Sequence, residues 1–409
     1  MTDQPTQVIV GASLAGAKAA ETLRTEGFDG RVVLVGAEVH RPYERPPLSK
    51  QLLRGETTAD EAHVHEETFY TDHDIELRLG TRVTEIDTHS TVVHLQGGEQ
   101  IGYDRLLLAT GARPRRLRLP GAELAGIHYL RDLGDNQALR EALRSATRVG
   151  VVGAGWIGSE VAASVRQLGL EVALIDPGSV PLAAVLGPEV GAVYRDLHAE
   201  HGVELHFDET VHGFVGDRSV AGVVTRGGTT IDADLVVVGV GVEPCIELAQ
   251  HAGLDIDGGI AVDELLQTSA PGVFAAGDAA AAWHPRLGRR VRVEHWANAQ
   301  NQGIVAAKNM LGAAIPYDRV PYFFSDQYDL GMEYSGYAPS WDRVVFRGDP
   351  ETREFIAFWL TDDRVVAAMN ANVWDVVEPL RSLIEAQQTV DQSRLVDPDV
   401  PLGALQPAV

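Results

Sequence analysis

Apolar residues in this chain come in short, unbroken runs closed by glycine, followed by longer segments in which apolar and polar positions mix. Runs of four or five predict strands buried on both faces, and the mixed segments predict helices. Two stretches join these parts in one order. In "QVIVGASLAGAKAAETLRTEGFDGRVVLVGAE" an apolar run (Val8 to Val10) meets a small-residue turn (Gly11, Ser13, Gly16). A helical segment to about Thr25, a second apolar run (Val32 to Val35) and an acid, Glu38, follow. "RVGVVGAGWIGSEVAASVRQLGLEVALIDP" repeats the order with Gly153, Gly155, Gly158 and the acid Asp176. Strand, glycine turn, helix and strand make a βαβ unit, so two such units are predicted.

The spacing gives each residue a task. Gly153 permits the tight turn, Gly155 lets backbone N–H groups approach a pyrophosphate, and Gly158 lets the helix pack close to the strand. The helix N-terminus, with Trp156 and Ile157 in its first turn, offers positive potential to phosphate. Asp176 stands 23 residues past Gly153, where it can accept both hydroxyl hydrogens of a ribose and repel a 2′-phosphate. The following "PGSVP" holds no arginine, so NADH is expected rather than NADPH. In the first copy Ser13 replaces the middle glycine, ahead of Leu14, Ala15 and Gly16, and the nucleotide assignment is kept.

A second echo is stricter. "DRLLLATGARP" and "DLVVVGVGVEP" align so that Asp104, Gly111 and Pro114 recur as Asp234, Gly241 and Pro244, each 130 residues later. Both read as a buried strand and a turn at which the chain passes from one lobe to the other. Beyond about Val320, "RVVFRGD", "FIAFWL" and "RVVAAMNA" predict an antiparallel sheet, and "VVEPLRSLIEA" a helix. The Pro-rich tail "VDPDVPLGALQPAV" is expected to be irregular.

Composition narrows the classes. The 409 residues carry 58 acidic against 34 basic side chains, a net charge of −24, which disfavours nucleic acid and anionic membrane as partners. No run approaches the ~18 apolar residues of a membrane span, and the start lacks the pattern of a signal peptide. Cys245 is the single cysteine, which excludes a disulfide framework, and the expected location is cytoplasmic. The 14 histidines show no metal-ligand spacing; "HVH" (His63, His65) and "DTHS" read as surface loops or strands.

The motifs "LLLATGARP", "VGVEP" and "TSAPGVFAAGDAA" resemble those of two-dinucleotide flavoprotein reductases related to glutathione reductase. More narrowly, "RPYERPPLSK", "VEHWANAQNQG" and "VPYFFSDQYDL" are similar to the oxygenase-coupled ferredoxin reductases, the group of putidaredoxin, rubredoxin and biphenyl-dioxygenase reductases. The resemblance runs from about Gln7 to Ile384; Ser13, and Tyr322 and Phe324 where many members carry Trp, depart from it. It implies an α/β fold with two Rossmann-like domains, glutathione-reductase-like, and a C-terminal α+β domain. The implied boundaries are 1–112 with 246–319 for FAD, 113–245 for NADH and 320–409 for the C-terminal domain.

The resemblance also implies site residues. FAD would be held by the first glycine motif with Glu38, Arg45, Lys50, Thr110, Gly111, Arg131, Gly277, Asp278, Glu294 and Trp296. Asp278 would bond the ribityl–phosphate part, and a helix beginning near Trp296 would point at the flavin pyrimidine. NADH would take the second motif, Asp176 and Gly241. Lys50 and Glu160 form the catalytic pair, a cation near flavin N5 and a carboxylate that holds it and borders the nicotinamide. No metal site is expected.

Cys245 is informative through its place. Thiol chemistry in this superfamily uses cysteine soon after the first lobe's second strand, where this chain reads "HRPYERPPLSKQLL", without sulfur. Cys245 instead follows the second crossing turn and reads as a small packing residue. Electrons would then leave for an iron–sulfur partner, a [2Fe–2S] ferredoxin serving a haem-thiolate monooxygenase or a Rieske dioxygenase, with the reductase a monomer or weak homodimer. Arg113, Arg115, Arg116 and Arg118, with Arg286, Arg289, Arg290 and Arg292, are candidates to meet an acidic ferredoxin, or are a solvated face. Two alternatives stay open: a rubredoxin reductase or diaphorase, and an NADH-sensing flavoprotein like apoptosis-inducing factor.

Overall fold

The computed structural model describes residues 4–405. The chain groups into two compact units. The first takes the residues up to Arg45, Ala59–Arg113 and Val242–Arg319; the second takes Pro46–Thr58, Pro114–Gly241 and the residues from Val320 on. The chain therefore leaves the first unit at Arg113 and returns at Val242, within the two echoing turns.

In the first unit five strands lie in the order Val273–Ala275, Arg105–Leu108, Thr6–Val10, Arg31–Val35, Ile75–Arg78, and every pairing is parallel. Their apolar runs are buried on both faces, with Val8, Ile9, Leu34 and Leu107 fully enclosed, as a helix-covered parallel sheet requires. The helix Leu14–Thr25 follows the glycine turn and packs on the helix Trp296–Met310. Gly303 allows that approach, since a Cβ there would lie 2.3 Å from the Ala15 carbonyl oxygen.

The second unit repeats the design. Its parallel sheet runs Glu204–His206, Glu171–Ile175, Arg148–Val152, Leu235–Val238, Ile127–His128, with the helix Trp156–Gln167 after the glycine turn. The unit also holds the expected antiparallel sheet, in the order Tyr322–Gln327, Leu330–Gly336, Arg364–Ala371, Glu354–Thr361, Arg343–Asp349, and the helix Val377–Ala386. A kinked helix, Ala183–Glu200, packs on the antiparallel sheet: Leu186, Val190, Tyr194 and Leu197 pack with Phe323, Tyr334 and Trp359. The break at Gly187 (φ 80°), ahead of Pro188, leaves the Leu186 carbonyl to accept from Trp359 Nε1 at 3.1 Å.

Residues 397–401 are irregular as expected, between two short turns of helix. Asp391 caps a short helix, Gln392–Val396, by accepting from the Ser393 N–H, and a 3₁₀ turn spans Leu402–Leu405. Burial of Leu395 and Leu405 explains the order; residues 406–409 lie outside the described residues.

Candidate functional site

Two sets of loops gather at the carboxyl ends of the parallel strands, where open α/β sheets place ligands. In the first unit the strand ends deliver Gly11 to Gly16, Glu38, Thr110, Gly111, Gly277 and Asp278. In the second they deliver Gly153 to Gly158, Asp176 and Gly241. The two turns share their backbone plan. Gly11 N–H donates to the Val35 carbonyl and Gly153 N–H to that of Ile175, each at 2.8 Å. Their φ angles, 117° and 99°, are open only to glycine at low strain. Gly16 and Gly158 sit so close to the preceding turn that a Cβ would lie 2.0 and 1.8 Å from the Gly11 and Gly153 oxygens. The echoing aspartates match as well: Asp104 accepts from Thr6 N–H at 2.6 Å and Asp234 from Thr147 N–H at 2.9 Å, each at the start of the strand that leads into its glycine turn.

The residues present fit dinucleotides. A Cβ on Gly155 would meet no atom within 4 Å, so the backbone is open to a phosphate there. The helices begun by Ser13 and Gly155 carry no side-chain cap, so the first-turn N–H groups of each are left for a ligand of its own unit. Asp176 accepts from the N–H groups of Ala154 and Gly178, both at 2.7 Å, which fixes its carboxylate beside the turn. Glu38 is held by side chains instead, accepting from Tyr43 and from Arg45 Nη2 at 2.8 Å. Burial works against the Arg45 charge, but Tyr43 and Glu38 outweigh it, with help from Asp278, and keep its pKa above the usual arginine range. Gly277 N–H donates to Gln302 at 2.8 Å, Glu294 pairs with Arg292, and Trp296 opens the helix Trp296–Met310. Arg131 falls in the second unit, where its N–H donates to Asp135 at 2.9 Å.

Lys50 and Glu160 meet inside the second unit. Both are about 4% exposed, and Lys50 Nζ donates to Glu160 Oε1 at 3.2 Å. Glu160 also accepts from Ser49 Oγ at its other oxygen and from Ser325 Oγ at 2.7 Å. The Phe324 ring lies 5.5 Å from Lys50 Nζ, within cation–π range. The Pro46–Arg54 stretch that carries Lys50 is clamped from two helices. Ser164 Oγ donates to the Ser49 carbonyl at 2.6 Å and Asn136 Nδ2 to that of Leu48 at 2.8 Å. The sequence pointed to Lys50 and Glu160; Ser49 and Ser325 lay inside quoted motifs without a role, because a serine gives no signal until its partner is known.

Several of the candidate partner arginines are in ion pairs. Arg113 pairs with Glu243 and Glu247, Arg286 with Asp318, and Arg290 with Asp257. Cys245 is half-buried; its N–H donates to the Gly111 carbonyl at 2.9 Å and its carbonyl accepts from Thr110 Oγ1 at 2.6 Å. No metal-binding group of His, Cys, Asp and Glu, and no helix long and apolar enough to cross a membrane, occurs among the described residues.

Comparison with known proteins agrees with this geometry. The pyridine nucleotide-disulphide oxidoreductase family profile matches residues 5–303, and the reductase C-terminal profile matches 322–406. The ferredoxin–NAD(+) reductase component of the anthranilate 1,2-dioxygenase system of Burkholderia cepacia is 41% identical over 396 residues, covering 97% of this chain and 98% of its own. Putidaredoxin reductase of Pseudomonas putida is 37% identical over 401 residues, 97% and 95% of the two chains. The crystal structure of the covalent putidaredoxin reductase–putidaredoxin complex superposes with a TM-score of 0.94 at 36% identity, covering 98% of each chain. The ferredoxin reductase for the CYP199A2 system of Rhodopseudomonas palustris gives the same score, at 36% identity over 97% and 98%.

Proposed function

We propose that this chain, which belongs to the pyridine nucleotide-disulphide oxidoreductase family, is an FAD-dependent NADH:ferredoxin reductase that serves an oxygenase. The observation that carries the reading is the buried Lys50–Glu160 pair beside a complete glycine turn, in a chain whose single cysteine lies elsewhere. Relatives named as ferredoxin–NAD(+) reductases over nearly their full lengths support it. FAD, when bound, supplies the acceptor for a nicotinamide hydride and returns electrons one at a time to an iron–sulfur protein.

The protein's own contribution is position and charge. The first glycine turn, Glu38, Arg45, Thr110, Gly111, Gly277, Asp278, Glu294 and Trp296 hold FAD, together with Lys50 and Arg131 of the second unit. The second turn, Asp176 and Gly241 hold NADH. Glu160 keeps Lys50 charged and in place, and Lys50 offsets negative charge on the reduced ring. Hydride transfer needs no protein acid or base, only reacting atoms held about 3–3.5 Å apart away from water. The boundaries 1–112 with 246–319, 113–245 and 320–409 remain the proposed FAD, NADH and C-terminal domains. A [2Fe–2S] ferredoxin, a monomer or weak homodimer and a cytoplasmic setting belong to the same proposal.

NADH-driven cytochrome c reduction by the yellow protein, with and without a [2Fe–2S] ferredoxin, tests it. Large, salt-sensitive stimulation by the ferredoxin is the expected result. Rapid ferricyanide reduction without stimulation points to rubredoxin or another acceptor. An NADH-reduced flavin that persists for minutes with both acceptors supports the sensing alternative.

A further inference from the structure

We propose that Ser325 is a positioning residue of the redox site: its hydroxyl fixes Glu160, and through Glu160 the place of Lys50 Nζ. The inference rests on the reading above, in which Lys50 lies near the flavin.

The strand Tyr322–Gln327 is the edge of the C-terminal antiparallel sheet and packs against the helix Trp156–Gln167. Along it Phe323, Ser325 and Gln327 are buried, and each touches something different: Phe323 stacks edge-on with Trp156, Ser325 reaches Glu160, and Gln327 Oε1 lies 3.0 Å from His198 Nε2. Ser325 is 1% exposed, so its hydroxyl has no water to turn to. It bonds the same carboxylate oxygen, Oε1, that receives Lys50 Nζ. Among the described residues, Ser49 alone binds the other oxygen. Without Ser325, Oε1 keeps only Lys50 itself, so Ser49 is the one hydroxyl left to orient the carboxylate, which can then turn about its terminal bond and carry Lys50 with it. The neighbouring Phe324 ring, 5.5 Å from Nζ, would then be the remaining contact on this strand that restrains the ammonium. The C-terminal sheet thus takes part in the redox site through one hydroxyl.

The test uses the flavin-loaded protein in Ser325→Ala and Ser325→Thr forms. The flavin midpoint potential is measured by dye-coupled titration, which needs no NADH, and flavin reduction by NADH is followed by stopped flow. Loss of one hydrogen bond to a charged group predicts a fall of about tenfold in the reduction rate for Ser325→Ala. Its potential moves to more negative values, and Ser325→Thr restores both. In a Lys50→Met background, Ser325→Ala changes neither quantity, because its effect runs through Lys50. A wild-type potential and rate in Ser325→Ala overturn the proposal, as does a second, additive loss in the Lys50→Met background. If Lys50→Met does not fold, the Ala and Thr pair still decides. A wild-type flavin that NADH does not bleach defeats the functional reading instead, while the potentials of the serine variants still judge Ser325.

Discussion

The two glycine turns are built alike down to the hydrogen bond, yet their acids are held differently. Asp176 is oriented by two backbone N–H groups, whereas Glu38 is neutralised by Arg45 and bonded by Tyr43. A carboxylate fixed by neutral amides keeps its negative field for whatever approaches; one paired with a guanidinium gives much of that field away. The lesson is that an acid at the ribose position discriminates against an extra phosphate only where nothing has already cancelled it. The middle positions differ too: Gly155 opens onto empty space, while Ser13 places a hydroxyl at the helix start.

The largest effect that can test the likeness is at the third glycine. Gly158→Ala puts a Cβ onto the Gly153 carbonyl oxygen, and a loss of about 4 kcal/mol or more in urea unfolding is expected. Gly155→Ala, with open space around its Cβ, should cost under about 1 kcal/mol while raising the NADH KM. Equal losses in both variants would break the division of tasks between the glycines.

The second unit also carries a titration signature. Burial pushes His198 from 6.5 down to about 4, against a smaller raising effect from Gln327, and Tyr328 and His201 also face it. Above pH 6.5 the folded and unfolded states are both neutral there. As pH falls from 6.5 toward 4 the unfolded chain takes up a proton that the native state refuses, so stability is lost across that window. The contribution at pH 5 is on the order of 2 kcal/mol, and urea unfolding of His198→Gln should show a correspondingly flatter slope between pH 7 and 5.

Next comes the acid pair itself. Asp176→Asn should improve kcat/KM for NADPH relative to NADH by about tenfold, and Glu38→Gln should leave that ratio unchanged. A shift in both variants would remove the distinction between amide-held and arginine-paired acids. The smallest effect is expected at the exposed Arg113, whose pairs with Glu243 and Glu247 lie in solvent; Arg113→Ala should alter thermal stability by less than about 1 kcal/mol.

Much of the plan was legible from periodicity, because buried parallel strands and glycine turns leave local marks. Thr25 closes the first helix and Trp296 opens the last long one where the pattern put them. The "RVVAAMNA" stretch is one strand from end to end. What could not be read was the partner of each polar residue. Ser325 meets Glu160 across 165 positions and Asn136 meets Leu48 across 88, and no local pattern encodes contacts of that range. The same limit applies to charge. Arg113 and Arg286 meet Glu243 and Asp318, acids 130 and 32 positions away that no local count of charge places beside them.

The crossing turns have one more consequence. Cys245 N–H bonds the Gly111 carbonyl, and Arg115 N–H bonds that of Gly241, so the flanking chain and the stretch 114–241 are each drawn shut at the neck. A stretch whose two ends already touch behaves as a cassette: its removal would leave a gap that a tight turn can span, and its own ends could be joined with little loop-closure entropy. The 130-residue offset is then close to the length of the guest, 128 residues from 114 to 241, set into a host of its own kind. Because Leu186, Val190 and Tyr194 share a core with Phe323, Tyr334 and Trp359, an exchange between reductases has to carry the stretch from Val320 on together with residues 114–241.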